Sequence, residues 1–214
     1  MPNKPLKSLP PLRIAVLASG EGQTLQALLD AVAEGRLAAV IVLVVSNNAD
    51  AGALRRARRA GIATLHLSAA THPVPEALDA ALTAALQAAA PEVVVTTGYM
   101  KRLGPLVMNA FRRRMINVHP SLLPKYGGQG MYDRYVHAAV LAAGEQESGA
   151  TVHFVEGDYD SGLPIARACV PVLAGDTVES LAARVKQRER RLLVDVLEQR
   201  AMRGHFDFEE DEGA

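Results

Sequence analysis

The chain has 214 residues, of which 49% are hydrophobic and 21% charged, with 23 basic against 23 acidic side chains and a formal net charge of +0. That length suits one α/β domain with a substantial core, and the neutral balance excludes a general basic field for nucleic acid. Cys169 is the only cysteine, so no intrachain disulfide can form, and no apolar run approaches the roughly 20 residues of a membrane span. The expected setting is therefore cytoplasmic, with no membrane and no nucleic acid as partner.

The N-terminal stretch carries Lys4 and Lys7 but no apolar core segment, which excludes a signal peptide and leaves a flexible tail over 1–12. Apolar, β-branched runs then alternate with alanine-rich helical stretches. Strands are predicted at Arg13–Ala18, Val40–Val45, Thr64–Leu67, Val93–Thr96 and Met115–Val118. Helices are predicted between them at Thr24–Glu34, Ala51–Ala60, Pro75–Ala89 and Gly104–Arg112. The strands lack polar alternation, as expected of a parallel sheet covered by helices on both faces. A helix near Met131–Ala143 follows. Strands at Gly149–Val155 and Pro164–Val172 flank the loop Glu156–Gly162, which reads as a hairpin-like turn. The expected fold class is α/β: a twisted, mostly parallel sheet of about seven strands with one antiparallel hairpin strand. Thr177, followed by Glu179 and Ser180, opens a long final helix. The single domain is expected over 13–204. An acidic, solvated tail is expected over 205–214, carrying Glu209, Glu210, Asp211 and Glu212. Cys169, between Ala168 and Val170 in a strand, reads as a buried small hydrophobe.

Three stretches carry chemistry. Ser19-Gly-Glu-Gly-Gln-Thr-Leu25 joins the first strand to the first helix, where backbone N–H groups can cradle a phosphate. A dinucleotide site would need a third glycine where Leu25 stands and an acidic residue after the second strand, where Ser46, Asn47 and Asn48 stand. No Gly-Lys-Ser/Thr follows for a P-loop. A small phosphate monoester and a plain glycine turn remain as readings. The second stretch is Ile116-Asn-Val-His-Pro120. Side chains two apart on a strand share a face, so Asn117 and His119 project together where the strand ends. An amide can hold a developing oxyanion, and an imidazole can deliver a proton near neutral pH. The third is Asp158-Tyr-Asp-Ser-Gly162. It reads as a turn, or as a carboxylate brought to His119 to favour its protonated form. No pair of histidines shows zinc-ligand spacing, so no catalytic metal is expected.

Together these stretches resemble the phosphoribosylglycinamide formyltransferases, within the wider folate-dependent formyltransferase superfamily. The resemblance runs from about Arg13 to Val196. It is carried by the first turn, by Val45-Ser-Asn-Asn-Ala-Asp50, Ala57-Arg-Arg-Ala-Gly-Ile-Ala63 and Gly98-Tyr-Met-Lys-Arg-Leu103, and above all by Asn117-Val-His-Pro-Ser-Leu-Leu-Pro-Lys-Tyr126 and Val152-His-Phe-Val155 leading to Asp160-Ser-Gly162.

The resemblance implies transfer of formyl from 10-formyltetrahydrofolate, as co-substrate and without a metal, to the amine of 5'-phosphoribosylglycinamide (GAR). The family's catalytic residues fall on Asn117, His119 and Asp160. Its ribonucleotide contacts fall on Gly22, Gln23 and Thr24 and on Lys186, Gln187, Arg188 and Glu189. Its folate contacts fall on Met100, Lys101, Arg102 and Leu103, on Asn117, and on Glu156, Gly157, Asp158, Tyr159 and Asp160. The chain departs from the family pattern at Gln23 and Thr24, where Asn or Ser is common, and at Pro75, where some members place an arginine. It departs again at Ser161-Gly-Leu-Pro164, where the usual order is Gly-Pro. Gly127-Gly-Gln-Gly-Met-Tyr132 resembles a longer variant of the loop after the catalytic strand, a mobile cover by its glycines. Monomer and homodimer both stay open. The alternatives are another folate-dependent formyltransferase, which usually carries a further domain, a formyltetrahydrofolate hydrolase, and a catalytically silent folate- or nucleotide-binding module.

Overall fold

The computed structural model describes residues 10–208. Seven strands form one sheet: β1 Leu12–Leu17, β2 Ala39–Ser46, β3 Thr64–His66, β4 Val93–Thr96, β5 Met115–His119, β6 Glu147–Phe154 and β7 Pro164–Pro171. The helices are α1 Gln23–Ala33, α2 Gly52–Arg59, α3 Pro75–Ala89, α4 Pro105–Ala110, α5 Arg134–Ala142 and α6 Val178–Arg203. The strand order is β3-β2-β1-β4-β5-β6-β7. Strands β1 to β5 pair in parallel, and β6 lies antiparallel to both β5 and β7, so it is the one reversed strand.

Alternate side chains of the central strands feed two apolar layers, because both sheet faces are covered. One layer joins Ile14, Val16 and Val95 to Leu25, Leu28, Leu193 and Leu197. The other joins Ala15, Leu17, Val94 and Met115 to Leu82, Leu86, Val107 and Phe111. The long helix α6 starts at a capping box. The Thr177 hydroxyl accepts from the Ser180 N–H and the Ser180 hydroxyl accepts from the Thr177 N–H, satisfying two otherwise orphaned donors. The short helix α4 is capped from outside itself. The Asp79 carboxylate of α3 accepts from Leu106 N (2.8 Å) and Val107 N (3.0 Å), which fixes the chain leaving Leu103.

Two expectations need correction. Cys169 is exposed, not buried. Strand β7 is an edge strand: Ala168 and Val170 turn inward, while Arg167, Cys169 and Pro171 share the uncovered face. The tail expected from His205 onward is not loose at its start, since Phe206 is buried and Phe206 and Phe208 pack on Phe154. Leu12, at the other end, already lies in β1. The rest of the two expected tails, 1–9 and 209–214, lies outside the described residues.

The order β2-β1-β4 reverses the direction of winding between β1 and β4. The loops leaving the carboxyl ends of these two strands diverge there, which opens a crevice in sheets of this kind. Ser19–Thr24 leaves β1 and Thr97–Met100 leaves β4, so both border that crevice.

Candidate active site

The turn after β1 is tied down on three sides. The Ser19 hydroxyl bonds the Asn47 carboxamide and accepts from Met100 N, and the Asn48 amide donates to Ser19 O. Arg56 of α2 donates to Glu21 O at 2.8 Å. Gly22 then takes a left-handed conformation (φ 71°), and a Cβ there would lie 2.6 Å from the Ala53 Cα, so only glycine fits. No side chain caps α1. Its first-turn N–H groups therefore have no side-chain partner, and Gly22, Gln23 and Thr24 line a cavity there.

Asn117 and His119 share a face of β5. The antiparallel register sets Asn117 opposite His153 and His119 opposite Thr151. The Thr96 hydroxyl donates to the Asn117 Oδ1 at 3.0 Å, and Asn117 Nδ2 lies 3.1 Å from His153 Nε2. His153 Nδ1 lies 2.8 Å from the Phe154 carbonyl, which can only accept, so Nδ1 carries the proton. In the neutral ring Nε2 is then the acceptor for Asn117. Thr96 and His153 together fix which end of the carboxamide points where, and one Nδ2 proton is left for the crevice.

Asp160 reaches the same face from the loop between β6 and β7, in a left-handed conformation (φ 56°). Its Oδ2 lies 3.3 Å from His119 Nδ1, its Oδ1 3.5 Å from His153 Nε2, and Gly128 N–H donates to Oδ2 at 3.0 Å. Nε2 of His119 donates to the Tyr126 carbonyl at 2.8 Å. Burial pulls the His119 pKa down, but the Asp160 carboxylate and the Tyr126 carbonyl outweigh it, and the net shift is upward. Burial works against ionised Asp160 too. The hydrogen bonds from His119 and Gly128 still hold its carboxyl well below the usual carboxylate range. Each partner thus favours the ionised form of the other: the carboxylate the protonated ring, and the protonated ring the carboxylate.

Two cavities meet at this point. The larger, about 710 Å³, is lined by Gly22, Gln23 and Thr24, by His119, and by Lys186 and Glu189. The smaller, about 90 Å³, is lined by Lys101, Arg102 and Leu103 and by Glu156, Gly157 and Asp158. Asn117, Tyr159 and Asp160 line both, while Met100 lines only the larger. Burial pushes the Glu189 carboxyl up to about 7, with His119, Lys186 and Arg190 opposing the rise. Lys186 pairs with Asp133 at 2.6 Å, on the rim formed by the loop 127–133.

Most of the expected site residues are brought together. Gln187 and Arg188 are not among the residues lining either cavity. At 3.6 residues per turn, positions 186, 189 and 190 share one face of α6 and 187 and 188 rotate off it. The sequence reading passed over Arg190, which lines the larger cavity and donates to the Gln23 Oε1 at 3.3 Å. Helical phase from Lys186 would have found it. It also gave no role to Thr96 and His153. Alternation along β6 pairs His153 with Thr151, but only the cross-strand register brings it to Asn117.

Among the described residues, no group of three or more His, Cys, Asp or Glu side chains is arranged to hold a metal ion, and no helix is long and apolar enough to cross a membrane.

Known proteins share this architecture. The phosphoribosylglycinamide formyltransferase of Escherichia coli (strain K12) is 41% identical over 181 residues, covering 85% of this chain and 83% of that protein. That of Mycobacterium tuberculosis is 41% identical over 194 residues, covering 89% and 86%. The crystal structure of glycinamide ribonucleotide transformylase 1 from Symbiobacterium toebii superposes with a TM-score of 0.82 at 42% identity, covering 89% of this chain and 88% of that one. A family model described as formyl transferase matches residues 12–197, which span the whole sheet and most of α6, and on that match the chain belongs to the formyl transferase family.

Proposed function

We propose that this chain transfers the formyl group of 10-formyltetrahydrofolate to the amine of 5'-phosphoribosylglycinamide, giving formyl-GAR and tetrahydrofolate in purine synthesis. The observation that carries the reading is the meeting of the two cavities at Asn117 and Asp160, with the uncapped N-terminal end of α1 in the larger one. The names of the bacterial relatives, phosphoribosylglycinamide formyltransferase, support that acceptor and the transfer of a formyl group.

The larger cavity takes the ribonucleotide. Its phosphate lies at the N-terminus of α1, against Gly22, Gln23 and Thr24, with Lys186 and Arg190 supplying positive charge. Glu189 faces the ribose. The smaller cavity, with Lys101, Arg102, Leu103 and the loop 156–160, takes the folate. The glycinamide nitrogen attacks the formyl carbon and creates a tetrahedral oxyanion. The free Asn117 N–H and the charge on His119 stabilise it, and holding both substrates in contact lowers the barrier further. The C–N bond to the folate then breaks, the amine loses a proton to water, and the leaving nitrogen gains one. The His119–Asp160 pair supplies that proton. Both ring nitrogens of His119 are engaged, so release requires one bond to open. Tyr126, at φ 57° beside Gly127 and Gly128, makes the bond that a loop movement can open. The lone cysteine and the absence of a long apolar helix among the described residues support a cytoplasmic place of work.

Purified protein mixed with 10-formyltetrahydrofolate and GAR is expected to release tetrahydrofolate in step with formyl-GAR. His119→Ala is expected to reduce turnover by orders of magnitude while the thermal melt stays cooperative. Loss of formyl from the folate without GAR would make the chain a hydrolase, and binding of both without turnover would make it a silent module.

A further inference from the structure

The segment after α6 closes on the site from behind. Gly204 ends the helix at φ 82°, and the chain then sets Phe206 and Phe208 edge-on to Phe154, with ring centroids 5.6 and 5.3 Å away. Arg203 and His205 both pair with Asp207, which pins the turn between the two rings. Phe154 is the last residue of β6, so this aromatic cluster sits where the loop to Asp160 begins.

Arg113, just before β5, links the cluster to that loop. Its guanidinium lies 5.7 Å from the Phe154 ring and 5.0 Å from the Phe208 ring. Its Nε lies 3.5 Å from the Glu156 Oε1. That oxygen is buried and has no hydrogen bond among the described residues, so the Arg113 charge is what offsets its burial. The loop beyond Glu156 is tight. The Ser161 hydroxyl lies 2.9 Å from both the Glu156 and the Asp158 carbonyls, and Asp160, the residue before Ser161, reaches His119.

We propose that Phe208 and Arg113 are positioning residues for the formyl donor: Phe208 holds the guanidinium in place, the guanidinium holds Glu156, and Glu156 sets the donor-side loop 156–160. The inference rests on the reading of that loop as part of the folate site. Phe206 touches Phe154 as Phe208 does, but the guanidinium over its ring is that of Arg200, not Arg113. Both rings pack on the core, and only Phe208 also carries Arg113.

The test compares Phe208→Leu with Phe206→Leu; leucine keeps apolar bulk and removes the aromatic face. Phe208→Leu is expected to raise the KM for 10-formyltetrahydrofolate roughly two- to fivefold, the scale of a lost cation–π contact, with the KM for GAR unchanged. Phe206→Leu is expected to lower Tm and leave both KM values alone. Arg113→Gln should mimic Phe208→Leu, and the double variant should add little to either single one. Amide hydrogen exchange at 157–161 needs no substrate: it is expected to quicken in Phe208→Leu and Arg113→Gln but not in Phe206→Leu. Equal effects of the two phenylalanine variants on donor KM and on exchange, or an effect of Phe208→Leu on Tm alone, would overturn the proposal. Selective exchange in a protein that turns over neither substrate would uphold the Phe208–Arg113 link and overturn the functional reading.

Discussion

The Asp160 carboxylate lies 3.3 Å from Nδ1 of His119, and this contact favours the protonated ring. Burial alone would leave the imidazole neutral near pH 7, whereas the carboxylate lifts its pKa above the ordinary 6.5. In Asp160→Asn the burial remains and the countercharge is gone, so the His119 pKa should fall. The alkaline limb of kcat is expected above pH 6.5 in the wild type and at lower pH in the variant. Turnover at pH 7 should drop by about 10²- to 10⁴-fold. Stability follows the same groups. The His119 contribution is complete below about pH 6.5 and is lost as pH rises through its raised folded value. The Asp160 contribution is present above about pH 3.8 and is lost as pH falls toward its depressed folded value, a dependence that Asp160→Asn removes. Kinetics and melts across pH 3 to 9 check both (roughly the range spanned by these groups). An unmoved alkaline limb in the variant would detach Asp160 from the proton step.

Gly22→Val should separate the two substrates. The new Cβ would meet the Ala53 backbone, and φ 71° is unfavourable for a branched residue, so the turn must shift. A stability loss on the order of 1–3 kcal/mol is expected. The KM for GAR should rise at least about tenfold, because the anion-binding N–H groups move, while the donor KM stays near its original value. Steady-state kinetics with each substrate varied in turn would show it. An unchanged GAR KM would move the phosphate elsewhere.

His153→Leu should strike kcat. Without the ring acceptor, the Asn117 amide keeps only its bond from Thr96 and loses its fixed orientation. A fall in kcat of up to about 100-fold is expected, with both KM values within about twofold. His153→Gln, whose side-chain oxygen can accept the same bond, should recover part of it. Full activity in His153→Leu would show that Thr96 suffices.

The elements were legible because burial on both sheet faces leaves unbroken apolar runs, and helix punctuation is local. Val93–Thr96 and Pro75–Ala89 appear in the structure with the bounds the pattern predicts. The meeting of Asn117 with His119 followed from strand periodicity alone. What the sequence hid was relational. Nothing local states that β7 is an edge, so Cys169 read as core although Arg167, two residues before it, marked the exposed face. Gln187 and Arg188 were carried over as a block, and a helix divides any block of four among its faces. His153 acquires its partner only through the pairing of β5 with β6. Phe206 and Phe208 sat in a run whose acidic character masked their value as core.

One oxygen of Asp160 serves both the His119 ring and the Gly128 amide. The two donors compete for the same electron density. A shorter bond from Gly128 leaves less of that density for the ring, and a longer one leaves more. The loop that follows β5 and the loop that carries the carboxylate are thus joined through a single atom.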